Sequence, residues 1–559
     1  MFLCYVFSLM NSCYAFVNLI SDIIILRDYC IWEVFTLSNT TIEKKASIQN
    51  GVGRMIFSLL IFVLEGIFLL SLLTWLSDYA MWISGLTRAV ALLTVLGLNG
   101  SNKPSNMKLT WIMLILLAPI IGVGIYLIVG LNGRTYAMKK RYEEVDNVLL
   151  PLLHVVSSNA ALSELEAWDS GAASISKYIS RNSGYPLFND TRITYFDTAE
   201  EGFAAQKEAI AAAKDFIFME YHAIEDDVLW HGIQELLEQK VKAGVDVRVF
   251  YDDMGSIGFI NTDFIKRLAD VGIECRVFNP FIPGLNLFLN NRDHRKITVI
   301  DGKVAFTGGY NIANEYCNIT HPFGLWKDTG VRLEGPAVRN LTIAFFENWY
   351  GVKKNKSPLD VSEIKKYLPE VEPVISTSIG FVQPYADSPL DDEQVGQEVY
   401  ISIINNAKKY CWFVTPYLIL SDEMIHALCL AAKRGVDLRI ITPGIPDKKI
   451  VYTVTHSYYS ALVKHGILIY EWSPGFCHCK MCVSDDMIAT CGTINLDYRS
   501  LYHHFENGCL YTNCDAVLDT KSDFETLFTQ SREVTEKYKD SKGILNLEQQ
   551  LLRLIAPLL

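Results

Sequence analysis

Apolar residues are spread unevenly along the chain. Ile56 to Trp75 is a run of twenty residues with Glu65 as its only charge, the length an α-helix needs to cross a bilayer core of about 30 Å. Thr110 to Leu131 carries no charge at all, and its Pro119 and glycines are tolerated in membrane helices where neighbours satisfy the freed backbone groups. Between them, Ala80 to Leu98 is apolar apart from Arg88, which fits a third span or an interfacial helix whose arginine reaches the headgroups. The pattern predicts a transmembrane helical anchor of two or three spans over residues 51–133. It is preceded by an apolar extension, 1–50, without the basic start and small-residue cleavage site of a signal peptide.

From Arg134 onward the pattern changes. Short β-rich runs such as Val245 to Tyr251 alternate with helical stretches such as Ala204 to Lys214, which predicts a globular α/β region. This region contains an internal repeat. Lys242-Ala-Gly-Val-Asp-Val-Arg248 is echoed by Lys433-Arg-Gly-Val-Asp-Leu-Arg439, each at the end of an expected helix and the start of an expected strand. Further on, His294, Lys296, Asp301, Gly308, Gly309 and Asn311 are matched by His478, Lys480, Asp485, Gly492, Thr493 and Asn495, and both copies fit H-x-K-x4-D-x6-G-[GT]-x-N. Recurrence at fixed offsets defines two homologous halves, 190–355 and 375–535. A connecting region, 134–189, a polar linker, 356–374, and a C-terminal helical tail, 536–559, complete the organisation.

Composition narrows the function classes. The chain is 50% hydrophobic and only 20% charged, too apolar for disorder. Its net charge of −12 disfavours non-specific binding to a nucleic-acid backbone. Thirteen cysteines are far below the density of a disulfide scaffold. Cys479-Lys-Met-Cys482 formally fits C-x-x-C, but on a strand Cys477 and Cys479 project away from His478 and Lys480, so the cysteines read as small core residues and not as metal ligands.

The repeated residues carry chemistry. Two positions apart on a strand, His294 and Lys296 point to one face, as do His478 and Lys480. Neutral imidazole is a nucleophile toward phosphorus and protonated imidazole is an acid, so one histidine can attack while the other protonates the leaving oxygen. Lysines offer positive charge to the phosphate oxygens. The glycines and the asparagine that follow suit a tight turn where backbone approaches a ligand. A carboxylate beside a histidine fixes its tautomer; Asp301 and Asp485 are expected in that role, with the pairing left open.

The motif resembles the HKD signature of the phospholipase D superfamily, and its two-copy arrangement resembles the bacterial cardiolipin synthases. The likeness extends over about 110–535, through stretches such as Glu220-Tyr221, Arg292 to Lys296, Trp326 to Thr329, Thr415 to Tyr417, and Asn495 to Ser500 with Phe505-Glu506. It implies two phospholipase D-like α/β sandwich halves and a bacterial, multi-pass membrane enzyme. Glu506 resembles an acidic residue that superfamily members place near the site. The implied reaction needs neither metal nor cofactor. One histidine, expected to be His294, attacks the phosphorus of one phosphatidylglycerol and the other protonates the departing glycerol, with the order of the two histidines left open. A second phosphatidylglycerol takes the phosphatidyl group to give cardiolipin. A hydrolytic phospholipase D or a headgroup-exchange enzyme would differ only in the acceptor. A nuclease or tyrosyl-DNA phosphodiesterase is disfavoured by the acidic balance, the spans and the presence of Asp301 and Asp485, and an inactive scaffold by the completeness of both motifs.

Overall fold

Helix and strand alternate so as to build the same sheet twice. The computed structural model describes residues 80–101, 105–127, 133–153, 156–280, 291–352, 359–374, 380–539 and 547–556, with Leu60. The extension 1–50 and, Leu60 apart, the expected span Ile56–Trp75 lie outside the described residues. The first half contributes β1 (Arg192–Phe196), β2 (Phe216–Tyr221), β3 (Asp246–Asp252), β4 (Glu274–Phe278), β5 (Arg292–Asp293), β6 (Lys296–Ile300), β7 (Val304–Gly308), β8 (Leu325–Lys327) and β9 (Gly330–Glu334). The second contributes β10 (Phe381–Asp387), β11 (Tyr410–Val414), β12 (Asp437–Pro443), β13 (Leu468–Trp472), β14 (Gly475–Cys477), β15 (Met481–Ser484), β16 (Ile488–Gly492), β17 (His504–Thr512) and β18 (Ser531–Glu533).

The sheets run β1-β9-β7-β6-β2-β3-β4 and β10-β17-β16-β15-β11-β12-β13-β18. Strand for strand the two orders coincide, with β18 an added edge. In each, the central strand (β2 or β11) pairs in parallel with the next strand and antiparallel with the strand that follows the H-x-K segment. β2 and β11 are buried at every position, as strands covered on both faces must be, which is why they read as unbroken apolar runs. Helices Val228–Lys242 and Asp422–Lys433 are capped by Asp227 and Ser421. They end just before Gly244 and Gly435, at φ +89° and +91°, the left-handed conformation that stops a helix and turns the chain into β3 and β12.

Segments of the first half, of the expected connecting region 134–189 and of the expected linker 356–374 cover the two sheets. Helix Val338–Gly351 packs against β2, β6 and β7 of the first sheet and β10 of the second, and most of its residues are buried. Helix Ser170–Asn182, within the expected connecting region, packs on helix Val395–Asn406 of the second half, and Gln383 of β10 donates to Ser176 O, Ser180 Oγ and Tyr185 O. In 359–374, Tyr367 donates to Asp246 at 2.6 Å and its ring lies 5.1 Å from those of Phe216 and Phe218. Polarity in the sequence concealed this aromatic contact.

The apolar N-terminal region differs from its expected form. Thr110–Leu131 is not one continuous helix: Ser105–Leu117 and Pro119–Ile125 are separate. Pro119 supplies no N–H and drives Ala118 out of the helical region, to φ −139° and ψ 78°. The second helix then folds back on the first; a Cβ on Gly122 would lie 2.6 Å from Ile115 Cα. Among the described residues, no helix is long and apolar enough to cross a membrane. Leu86, Leu92, Leu93, Leu96, Leu116 and Leu117 are nonetheless exposed. Helix Leu547–Ile555 of the expected tail lies on helix Lys449–Val463, and its Leu554 carbonyl accepts a hydrogen bond from Thr110 Oγ1 at 2.9 Å.

Candidate active site

Each histidine of the repeat is clipped to the opposite half. β5 pairs in parallel with the start of β17, and the backbone N–H of His294 donates to Phe505 O at 2.8 Å. β14 pairs in parallel with β8, and the N–H of His478 donates to Lys327 O at 2.7 Å. The residue after each acceptor is a carboxylate. Glu506 lies 2.9 Å from His294 Nδ1 through both oxygens, and Asp328 Oδ2 lies 2.6 Å from His478 Nδ1. The two halves thus exchange partners across a pseudo-twofold: each half's carboxylate serves the other half's histidine. A carboxylate on Nδ1 keeps the proton there and leaves the Nε2 lone pair free for chemistry.

The lysines follow the histidines as expected. Lys296 Nζ donates to His294 O at 2.8 Å, and Lys480 Nζ donates to His478 O. Lys480 Nζ also stands 2.8 Å from His478 Nδ1, but the shorter, charge-assisted contact to Asp328 decides the tautomer. All six groups are buried. His478 feels the charge of His294, and His294 that of Lys480, so the two half-sites form one centre.

Burial governs the electrostatics. Desolvation, with the nearby lysines adding repulsion, holds both imidazoles well below their ordinary value, so they are neutral in the empty site. It brings Lys296 down to about 7 and Lys480 to about 8, and pushes Asp328 up to about 7.

The glycine-rich segments make room for the carboxylates. A Cβ on Gly309 would fall 2.1 Å from Asp328 Oδ1, and one on Gly308 would fall 2.4 Å from Thr329 O. A Cβ on Gly492 would likewise fall 2.5 Å from Asn507 O. Thr493, which matches Gly309, donates its hydroxyl to Glu506 and accepts from Asn507 N at 2.9 Å. Asn311 is committed to protein groups, accepting from Ala223 N and donating to Tyr316 Oη. Asn495 is buried with Oδ1 unpaired among the described residues.

Asp301 and Asp485 do not pair with the histidines, contrary to expectation. Each sits in a left-handed turn, at φ +53° and +57°, after β6 and β15. Asp301 accepts from the N–H groups of Lys214, Asp215 and Phe216, and Asp485 from those of Lys408, Lys409 and Tyr410. They tie down the starts of β2 and β11. Seven residues of extended chain, roughly 20 Å, separate such a residue from its histidine. The motif aspartate is therefore a structural clamp at the far end of the strand.

Several residues escaped the sequence reading. Asp328 was visible only inside a family-like stretch, because it and Glu506 follow their own histidines at unequal distances. His222 and His504 flank His294, with ring centres 5.0 and 5.4 Å away; no spacing pointed to them. Arg292 and Arg295 are supports: Arg292 pairs with buried Asp252 at 2.9 Å, and Arg295 with Glu347 at 3.0 Å. Cys477 and Cys479 place their sulfurs 3.8 Å apart. Among the described residues, His294, His504 and Glu506 have candidate ligand atoms all within 4.8 Å of one another.

Comparison with known proteins places this geometry. The family described as "Cardiolipin synthase, PLD-like domain" matches residues 207–330 and 400–528, and "Phospholipase_D-nuclease N-terminal" matches 89–130. The chain is 31% identical to a cardiolipin synthase of Halalkalibacterium halodurans, over 88% of this chain and 98% of that one. It is 32% identical to cardiolipin synthase 1 of Bacillus cereus, over 82% and 90%. An uncharacterized protein of Streptococcus mutans is 41% identical, over 83% and 99%. The crystal structure of phosphatidylserine synthase from Haemophilus influenzae shares the fold at a TM-score of 0.51 and 15% identity, over 68% of this chain and 97% of that one. The fold is that of a two-half phospholipase D-like enzyme. The chain belongs to the cardiolipin synthase family of the phospholipase D superfamily and is a phosphatidyltransferase.

Proposed function

We propose that the enzyme joins two phosphatidylglycerol molecules into cardiolipin and glycerol through a phosphatidyl-histidine on His294. The crossed His–carboxylate pairs carry this reading, because they put two imidazoles of fixed tautomer into one lysine-lined centre. His294 Nε2 attacks phosphorus while the phosphorus–glycerol oxygen bond breaks, and the glycerol oxygen takes a proton from His478. The acceptor's hydroxyl then attacks, giving its proton to His478, and His294 leaves.

The roles are assigned by an asymmetry. Asp328, pushed up to about 7 by burial, lets its dyad with His478 hold an additional proton near neutral pH, as a general acid requires. The anionic substrate supplies negative charge beside the lysines and restores their protonation. Lys296 and Lys480 then neutralise the charge on the phosphate oxygens in the transition state. Gly308, Gly309, Gly492 and Thr493 keep the carboxylates in place, and Asn495, with its unpaired oxygen, is the motif asparagine free to bind substrate.

A membrane location fits this reaction. The exposed leucines of helices Ala80–Asn99 and Ser105–Leu117, with the apolar sequence of Ile56–Trp75, support an N-terminal anchor at the bacterial cell membrane that delivers the site to lipid. The test is product analysis with phosphatidylglycerol vesicles as sole substrate. Cardiolipin and glycerol are expected; phosphatidic acid without cardiolipin would assign the enzyme to hydrolysis.

A further inference from the structure

His504 has no function in this reaction, yet it is held beside the attacking histidine at a cost. It is buried, and neither ring nitrogen has a hydrogen-bond partner among the described residues. Nδ1 stands 3.7 Å from Glu506 Oε1, beyond a hydrogen bond. Glu506 is already engaged: both oxygens face His294 Nδ1, and Oε2 also accepts from Thr493. An unpaired imidazole packed against a saturated carboxylate is poor design for a hydrogen bond but suits a shared cation. Two ligands of a tetrahedral Zn²⁺, each about 2.0–2.2 Å from the metal, lie roughly 3.4 Å apart.

We propose that His294, His504 and Glu506 form an inhibitory site for a borderline divalent cation such as Zn²⁺. Two imidazoles and one carboxylate are the donor set such ions take when a fourth position stays open. Ligation disables His294 whichever nitrogen binds. At Nε2 the metal takes the attacking lone pair. At Nδ1 it displaces the proton to Nε2, which then has no lone pair for phosphorus. Lys296 and Lys480 repel a cation and Glu506 attracts it, so binding is reversible, unlike that of a resident cofactor.

The inference rests on the reading of His294 as nucleophile, but metal binding can be measured without turnover. The full-length protein in detergent micelles is titrated with Co²⁺ and followed by its visible absorption, and cardiolipin formation is assayed across buffered free Zn²⁺. The wild type is expected to develop the bands of tetrahedral Co²⁺ and to lose activity reversibly. His504→Asn and His504→Gln should each keep their synthesis in chelator, lack the bands, and need at least about tenfold more Zn²⁺ for half-inhibition. A folded His504 variant with unchanged bands and unchanged half-inhibition would overturn the site, as would a wild type with neither. Tetrahedral bands that depend on His504, in a protein that makes no cardiolipin, would uphold the site and reject the reaction.

Discussion

The two half-sites share a backbone plan but not surroundings. Both histidines follow a short strand clipped to the other half, both hold a carboxylate on Nδ1, and both precede a buried lysine. His478 is enclosed by aromatic rings, with Tyr316 and Trp326 at 5.4 Å and Phe476 at 5.8 Å. His294 is flanked by imidazoles, His222 and His504. Duplication alone would give two equivalent groups, whereas displacement at phosphorus needs one that attacks and one that gives a proton. Burial pushes Asp328 toward neutrality, and in the proposed reaction this separates the roles.

The comparison is broken most completely by removing either imidazole. His294→Ala and His478→Ala should each lower cardiolipin formation by about 10⁴-fold or more in vesicle assays, since each removes a reacting group. Synthesis at the wild-type rate by either variant would refute the pairing. Next in size are the carboxylates. Glu506→Gln and Asp328→Asn should cost on the order of 10²–10³-fold. Because the partners are crossed, Glu506→Gln should add little to His294→Ala and Asp328→Asn little to His478→Ala, as a double-mutant cycle would report.

Asp301→Ala and Asp485→Ala make the opposite prediction. Each leaves three strand-start N–H groups without their acceptor, so each should lower stability by about 1–3 kcal/mol, seen as a lower melting temperature. Folded protein should keep a turnover number within a few-fold of wild type. A loss as large as that of the histidine variants, at unchanged stability, would restore these aspartates to the chemistry.

The smallest effect is in pH dependence. The Asp328–His478 dyad must carry its additional proton to act as the acid, so kcat/KM falls as pH rises through about 7. Lys480 must be protonated to meet the phosphate, so kcat/KM falls as pH rises through about 8. A single alkaline fall between about 7 and 8 is expected, and Asp328→Asn should leave only the part that follows the lysine.

Much of this was legible in the sequence because duplication marks positions twice. The repeated Lys-x-Gly-Val-Asp-x-Arg segment and the H-x-K motif located both sheets, their helix ends and four side chains of the candidate site. The pairing was not legible, for a geometric reason: Glu506 and Asp328 reach the histidines through strand pairs between halves, β5 with β17 and β14 with β8, and no local spacing encodes such a contact. The same gap misassigned Asp301 and Asp485, whose recurrence reflects a turn needed in both halves. His222 and His504 occur without counterparts at matching offsets, so the repeat passes over them. In the N-terminal region hydropathy recorded the apolar character but missed the break at Pro119.

The central claim is that one histidine of the crossed pairs becomes covalently phosphatidylated and the other does not. Wild-type enzyme turning over phosphatidylglycerol, quenched in alkali, digested and mapped by mass spectrometry, should carry the adduct on His294 and none on His478. An adduct on His478, or its absence from both residues while cardiolipin is being made, would contradict the account.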